Sequence, residues 1–175
     1  MHPLIQEAVK ITQDLGDVVF IGAVGIFLQT KATREQDLDF AVAKELPAEL
    51  LDEKRYFVRK VKGKEARYTP RGYKIDIYTR DASGIPIDKV ISTAKDIEVR
   101  KGMTVKAASI EVLVVSKFRA AAKRKGTDDV DIRTLAQRKY KDIDWDVLKA
   151  LTESEIEFQR IKDQMDMLHR MQLRF

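Results

Sequence analysis

The apolar residues of the first thirty positions change period once. Ile5, Ala8, Val9 and Leu15 recur at helical spacing, and Val18-Val19-Phe20-Ile21 follows as a β-favouring run ended by Gly22. This predicts a helix, a strand and a turn. Val24 to Leu28 predicts another short helix, and Thr30 to Gln36 is a polar loop. From Asp37 to Val42 the pattern returns to period two, with Leu38, Phe40 and Val42 apolar, which predicts a strand. A short helix is expected over 46–53, because Pro47 suits a first helical turn. Strands over 56–61, 66–69 and 73–79 form a β-meander, separated by turns at Lys62-Gly63-Lys64 and Pro70-Arg71-Gly72. Two further strands, 97–99 and 103–106, flank Lys101-Gly102.

Beyond Ser109, a capping residue, the pattern is helical. Helices are expected from there to about Lys125, from Asp128 or Asp129 to about Tyr140, and from Asp144 through Leu148. Thr152 and Glu155 form a capping box for a last one. The expected class is α+β: a mixed sheet with helices packed on it, an α/β core over 1–108 and a helical region over 109–175 packed on that core. Ile161, Met165, Leu168 and Phe175 make one stripe on the last helix, either a cover for the sheet or a homodimer contact.

Composition narrows the chemistry. With 44% hydrophobic and 35% charged residues in 175, the chain can bury a core and is not a disordered tail. The longest apolar run, Val18 to Leu28, is too short for a membrane span, and the N-terminus lacks the features of a secretory signal. A cytoplasmic location is expected. There is no cysteine, and the two histidines, His2 and His169, are isolated. Thiolate sites and multi-histidine zinc centres are therefore excluded, and any metal is held by oxygen.

Asp37 and Asp39 lie two apart on one strand and so project from one face. Side-by-side carboxylates repel unless a cation sits between them, and oxygen donors without sulfur select Mg2+ or Mn2+. Asp76 is set similarly, between Ile75 and Ile77 on a second strand. Three such acids could hold the metal pair of a phosphoryl-transfer site. Asp-x-Asp alone is cheap: Asp129/Asp131, Asp142/Asp144 and Asp144/Asp146 repeat it at helix starts, where capping accounts for it. Asp142 to Glu153 imitates a calcium loop, but Val147 stands where the sharp turn needs glycine. Upstream, Phe20-Ile21-Gly22-Ala23 makes a strand and a small-residue turn before a helix start, where backbone N–H groups could receive a triphosphate.

Apolar-Gly22-Ala23, then Asp37-Leu38-Asp39, then Asp76, in this order, resembles the polymerase-β-like nucleotidyltransferase superfamily. Lys117-Phe118-Arg119-Ala120, Arg124, Asp128, Asp131 and Leu135 look like the later motif of the branch containing minimal nucleotidyltransferases and AbiEii-type toxins. The resemblance covers about residues 18 to 140. It implies magnesium-dependent transfer of a nucleoside monophosphate from a nucleoside triphosphate to a hydroxyl of RNA, tRNA included, or of protein in a toxin–antitoxin setting with an antitoxin partner. Asp37, Asp39 and Asp76 would be the catalytic and metal-binding acids, and Gly22, Ala23, Arg34, Lys117 and Arg124 would bind the nucleotide. Two departures stand out: Ala23 replaces a second Gly or Ser, and Arg34 lies three residues before the first acid instead of four. They are the best argument for the rival reading, a catalytically silent RNA- or protein-binding module with the same fold.

The chain carries 33 Lys and Arg against 28 Asp and Glu, and the excess is concentrated between Lys54 and Lys74, with nine basic residues against Glu65. Tyr56, Phe57, Tyr68 and Tyr73 are interleaved. Such a stretch can neutralise phosphates and stack on bases. Arg59, Lys60, Lys62, Arg67 and Lys74 are its acceptor-binding candidates. The alternative is a solvated hairpin whose charges guard a sheet edge.

Overall fold

Strand β1 (Val19–Ile21) is apolar at every position because it is covered on both faces. Its Val19 and Ile21 join one apolar cluster and its Phe20 the other. The computed structural model describes residues 1–32, 37–123 and 128–172. In it, β2 (Leu38–Ala41) pairs antiparallel with β1, and β5 (Lys74–Tyr78) parallel with β2. The meander expected from the sequence is present: β3 (Phe57–Val61), β4 (Lys64–Tyr68) and β5 pair antiparallel in succession. On the other side, β9 (Met103–Ala107) runs parallel to β1 and pairs with β8 (Lys95–Arg100). The order across the sheet is β3-β4-β5-β2-β1-β9-β8.

Helices cover both faces. Under one face, α1 (Pro3–Leu15) and α3 (Ala48–Glu53) bury Leu4, Ala8, Ile11 and Leu51 with Phe20, Leu38, Phe40 and Ile75. Phe20 and Phe40 are register partners and meet edge to face at 5.9 Å. The other face carries α4 (Ile87–Ser92), α5 (Ile110–Lys123), α6 (Asp128–Arg138), α7 (Trp145–Leu151) and α8 (Glu155–Gln172). Val19, Ile21 and Ala41 there share a cluster with Leu113, Leu135, Leu148, Ile161 and Met165. Helix α2 (Gly22–Thr30) follows β1 directly. A Cβ on its Gly25 would stand 2.9 Å from the Phe20 carbonyl oxygen and 3.0 Å from Leu113, so only glycine lets α2 sit this close to β1 and α5.

The α+β class and the helical C-terminal third agree with the sequence pattern. Ile161 and Met165 are fully buried and Leu168 partly, so the stripe of α8 packs within the chain; Phe175 lies outside the described residues. One cap differs. Ser154, not Thr152, starts α8: its hydroxyl accepts from Glu157 N–H at 3.1 Å, and the Glu157 carboxylate accepts from Glu153 N–H at 3.0 Å. Thr152 instead donates to the Lys149 carbonyl at the end of α7. Two overlapping boxes fit the sequence, and the one used places Glu157 against Arg119. The pattern also missed a small hairpin, β6 (Asp81–Ala82) with β7 (Ile85–Pro86), turned by Ser83 and Gly84 at positive φ. No helix among the described residues is long and apolar enough to cross a membrane.

Candidate functional site

Sheet register decides which acids meet. Ile21 on β1 faces Asp39 on β2, and Asp39 faces Asp76 on β5. Paired positions project from one face, so Asp39 and Asp76 stand side by side above the sheet on the face covered by α5. Their side chains share a hydrogen bond, while Asp39 Oδ1 is buried without a partner. Burial first, then the charge of Asp76 and the hydrogen bond to it, then Asp37, push the Asp39 carboxyl up to about 7; Lys117 pulls the other way. Asp39 therefore holds a proton near neutrality unless a cation joins it.

Gly22 ends β1 beside this pair with φ +59°. A Cβ there would lie 2.9 Å from Asp39 Oδ2, so the turn needs glycine both for its backbone and for its neighbour. Half-buried Ala23 follows in the first turn of α2, whose N-cap, Ile21, offers no side-chain hydrogen bond to the helix N–H groups. Asp37 lies just before β2 on the same face as Asp39. Its carboxylate is half exposed and paired with Lys74 at 3.3 Å. Among the described residues no three carboxylate or histidine side chains stand together as a metal-holding group; the close pair is Asp39 and Asp76.

Across from the acids, α5 contributes Ser116, Lys117, Ala120 and Lys123 to a cleft whose other wall includes Gly22, Tyr78, Ala82 and Ser83. Lys117 is buried. Its Nζ lies 2.8 Å from Asp131 Oδ2 and 3.2 Å from Asp128 Oδ1, so the late acids support this lysine from α6. Arg34 and Arg124 lie outside the described residues.

Arg119 was legible only as part of a motif, and the structure makes it a strut. Its guanidinium grips Glu157 with two nitrogens at 3.0 and 2.9 Å and donates to the carbonyls of Ser83 at 2.8 Å and Leu151 at 3.2 Å. It thereby ties the β6–β7 hairpin, a wall of the cleft, to α7 and α8. No pattern of residue types announces this, since all its partners are distant in sequence.

The basic stretch divides between two faces. Phe57, Arg59 and Val61 pair with Tyr68, Ala66 and Lys64, and Tyr68 pairs with Lys74, which puts these residues on the Asp76 face. Val58 and Lys60 pair with Arg67 and Glu65, and Arg67 with Ile75, on the opposite face. Lys62 sits in the β3–β4 turn at φ 52°, exposed. Arg71 meets the buried Glu7 of α1 at 2.9 Å, a tie between helix and sheet.

The order of these strands, with a Gly turn opposite paired aspartates, defines a nucleotidyltransferase fold. Solved structures share it. An antigenic nucleotidyltransferase-like protein from Paracoccidioides brasiliensis is 16% identical, with 93% of this chain and 86% of that one covered at a TM-score of 0.62. A nucleotidyltransferase-like structure from H. pylori is 18% identical, covering 95% and 92% at a TM-score of 0.52. The structure of ANT(2")-Ia in complex with adenylyl-2"-tobramycin is 14% identical, covering 92% and 96% at 0.51. No protein-family model and no curated protein matches the chain.

Proposed function

We propose that this protein is a metal-dependent nucleotidyltransferase, moving a nucleoside monophosphate from a nucleoside triphosphate to a hydroxyl of an RNA or protein acceptor with release of pyrophosphate. One observation carries the reading: Asp39 and Asp76 face each other at one register position, with Asp39 Oδ1 buried and unpartnered, beside an uncapped helix start at Gly22. Such a pair of carboxylates is costly in an apolar fold unless it serves a cation. The donor set, oxygen alone, fits Mg2+ or Mn2+, held by Asp39 and Asp76 with Asp37 joining once it leaves Lys74. When bound, the metal polarises the transferred phosphoryl group and lowers the pKa of the attacking hydroxyl.

The chain's own residues do the rest. The first N–H groups of α2 at Gly22 and Ala23 receive phosphate oxygens. Asp76, on the meander strand β5, accepts the proton of the acceptor hydroxyl. Lys117, fixed by Asp128 and Asp131, places positive charge across the cleft where the leaving pyrophosphate develops negative charge. Arg34 and Arg124 are proposed to join it on the triphosphate.

Calorimetric titration with Mn2+, then with each nucleoside triphosphate in its presence, tests the proposal. Binding lost in Asp39→Asn and Asp76→Asn, with folding retained, is the expected result. Nucleotide binding that ignores both metal and these substitutions would favour the silent binding module.

A further inference from the structure

Resting on the transferase reading, we propose that the Asp76 face of the β3–β4 hairpin is an acceptor shelf for the 3′ end of a single-stranded nucleic acid. Two rows of side chains cross the sheet here. The first runs from Asp37 through Lys74 and Tyr68 to Phe57. The second runs from Asp39 through Asp76, and because Arg67 faces Ile75, it continues one position on to Ala66 and then Arg59. Ala66 contributes only a methyl group, so along this row no bulky side chain separates Asp76 from Arg59.

The chemistry of the shelf selects the occupant. The Phe57 and Tyr68 rings stack at 5.4 Å, 15° from parallel, and the Arg59 guanidinium lies over both at 5.5 and 5.7 Å. Both rings are half-buried and Arg59 is exposed, so the platform keeps open surface. Among the described residues, the β3 and β4 positions on this face are Phe57, Arg59, Val61, Lys64, Ala66 and Tyr68, with no acid; Glu65 is on the other side, opposite Lys60. A cationic acceptor, such as an aminoglycoside, meets repulsion on the shelf. A polyanion is attracted, and one with flat rings finds aromatic faces as well. Arg59 stands two strands from Asp76, roughly 10 Å, about three stacked nucleotide steps of ~3.4 Å. A strand whose terminal hydroxyl reaches Asp76 thus places an inner phosphate at Arg59.

Fluorescence anisotropy of the full chain with a labelled 12-nucleotide single-stranded RNA, near 0.15 M salt without metal or nucleotide, tests the shelf separately from transfer. Exposed charges more than about 8 Å apart are largely screened there. Two double variants remove equal charge from opposite faces. Arg59→Gln with Lys74→Gln should weaken binding about tenfold, and Lys60→Gln with Arg67→Gln less than twofold. Tyr68→Leu should weaken it roughly tenfold, with Tyr68→Phe restoring it. Equal losses from both double variants, no effect of Tyr68→Leu, or an acidic peptide of matched charge bound as tightly as RNA would overturn the proposal. The last outcome would assign the shelf to a protein acceptor. Failure of nucleotide binding with these RNA results intact would instead sink the transferase reading and leave this face as an RNA-binding surface without an acceptor role.

Discussion

Asp39→Asn in metal-free protein separates a functional acid from a structural one. Burial, then Asp76 and Asp37, raise the Asp39 carboxyl from 3.8 to about 7. A shift of about three units at 1.36 kcal/mol each sets an upper limit of roughly 4 kcal/mol on the strain of carrying this charge. Because the folded-state pKa lies above the unfolded value, the folded protein binds the extra proton between about pH 4 and pH 7. Wild-type stability therefore falls as pH rises through that window and is level on either side as far as Asp39 is concerned. Asparagine keeps the shape, removes the charge and can donate to Asp76. At pH 8 in chelator the variant should be more stable by about 2 to 4 kcal/mol, with a melting temperature higher by roughly 5 to 10 °C. Below pH 4 the advantage should vanish. Urea unfolding followed by circular dichroism at pH 4.5, 6 and 8 measures the difference directly. A variant less stable than wild type at pH 8, or a wild type that gains stability between pH 4 and 7 through this group, would refute the reasoning.

Three further outcomes are expected. Lys117→Met leaves Asp128 and Asp131 buried beside an apolar side chain and should cost about 3 to 5 kcal/mol in urea unfolding at pH 7; an unchanged midpoint would show the triad to be dispensable. Gly22→Ala combines a positive φ with a 2.9 Å approach to Asp39, and should destabilise by about 1 to 2 kcal/mol while weakening Mn2+ binding measured by calorimetry. Arg119→Lys keeps the charge but loses the fork that grips Glu157 and two carbonyls; hydrogen exchange should quicken in residues 81–86, and exchange unchanged there would deny Arg119 its role as a strut.

Local rules carried much of this architecture. Period-two alternation around Phe40 and Ile75 could be satisfied only by strands with one apolar face, and the switch of period after Leu15 marked β1. Ser109 and Asp144 cap α5 and α7 where their side chains predicted, because capping is settled within three residues. Asp39 and Asp76 could be picked out as lone acids in apolar strands, but not as neighbours. Strand pairing at a distance of 37 residues is a tertiary event, and a slip of one residue would have sent Asp76 to the other face.

The same pairing sorted the basic stretch. Its charge and aromatics were plain in the chain, yet which cations share a face with Asp76 followed from the register of β3, β4 and β5. The choice of Ser154 over Thr152 as the cap of α8 agrees with Glu157 meeting Arg119, 38 residues away. Residue type and spacing thus determined most of the elements, though not the β6–β7 hairpin or α4, together with the lone acids and the charge of the meander, because those depend on interactions a few residues long. Only the folded sheet decided which acids touch, which cations face them and which arginine braces the cleft, because side chains far apart in sequence meet only once strands and helices have packed.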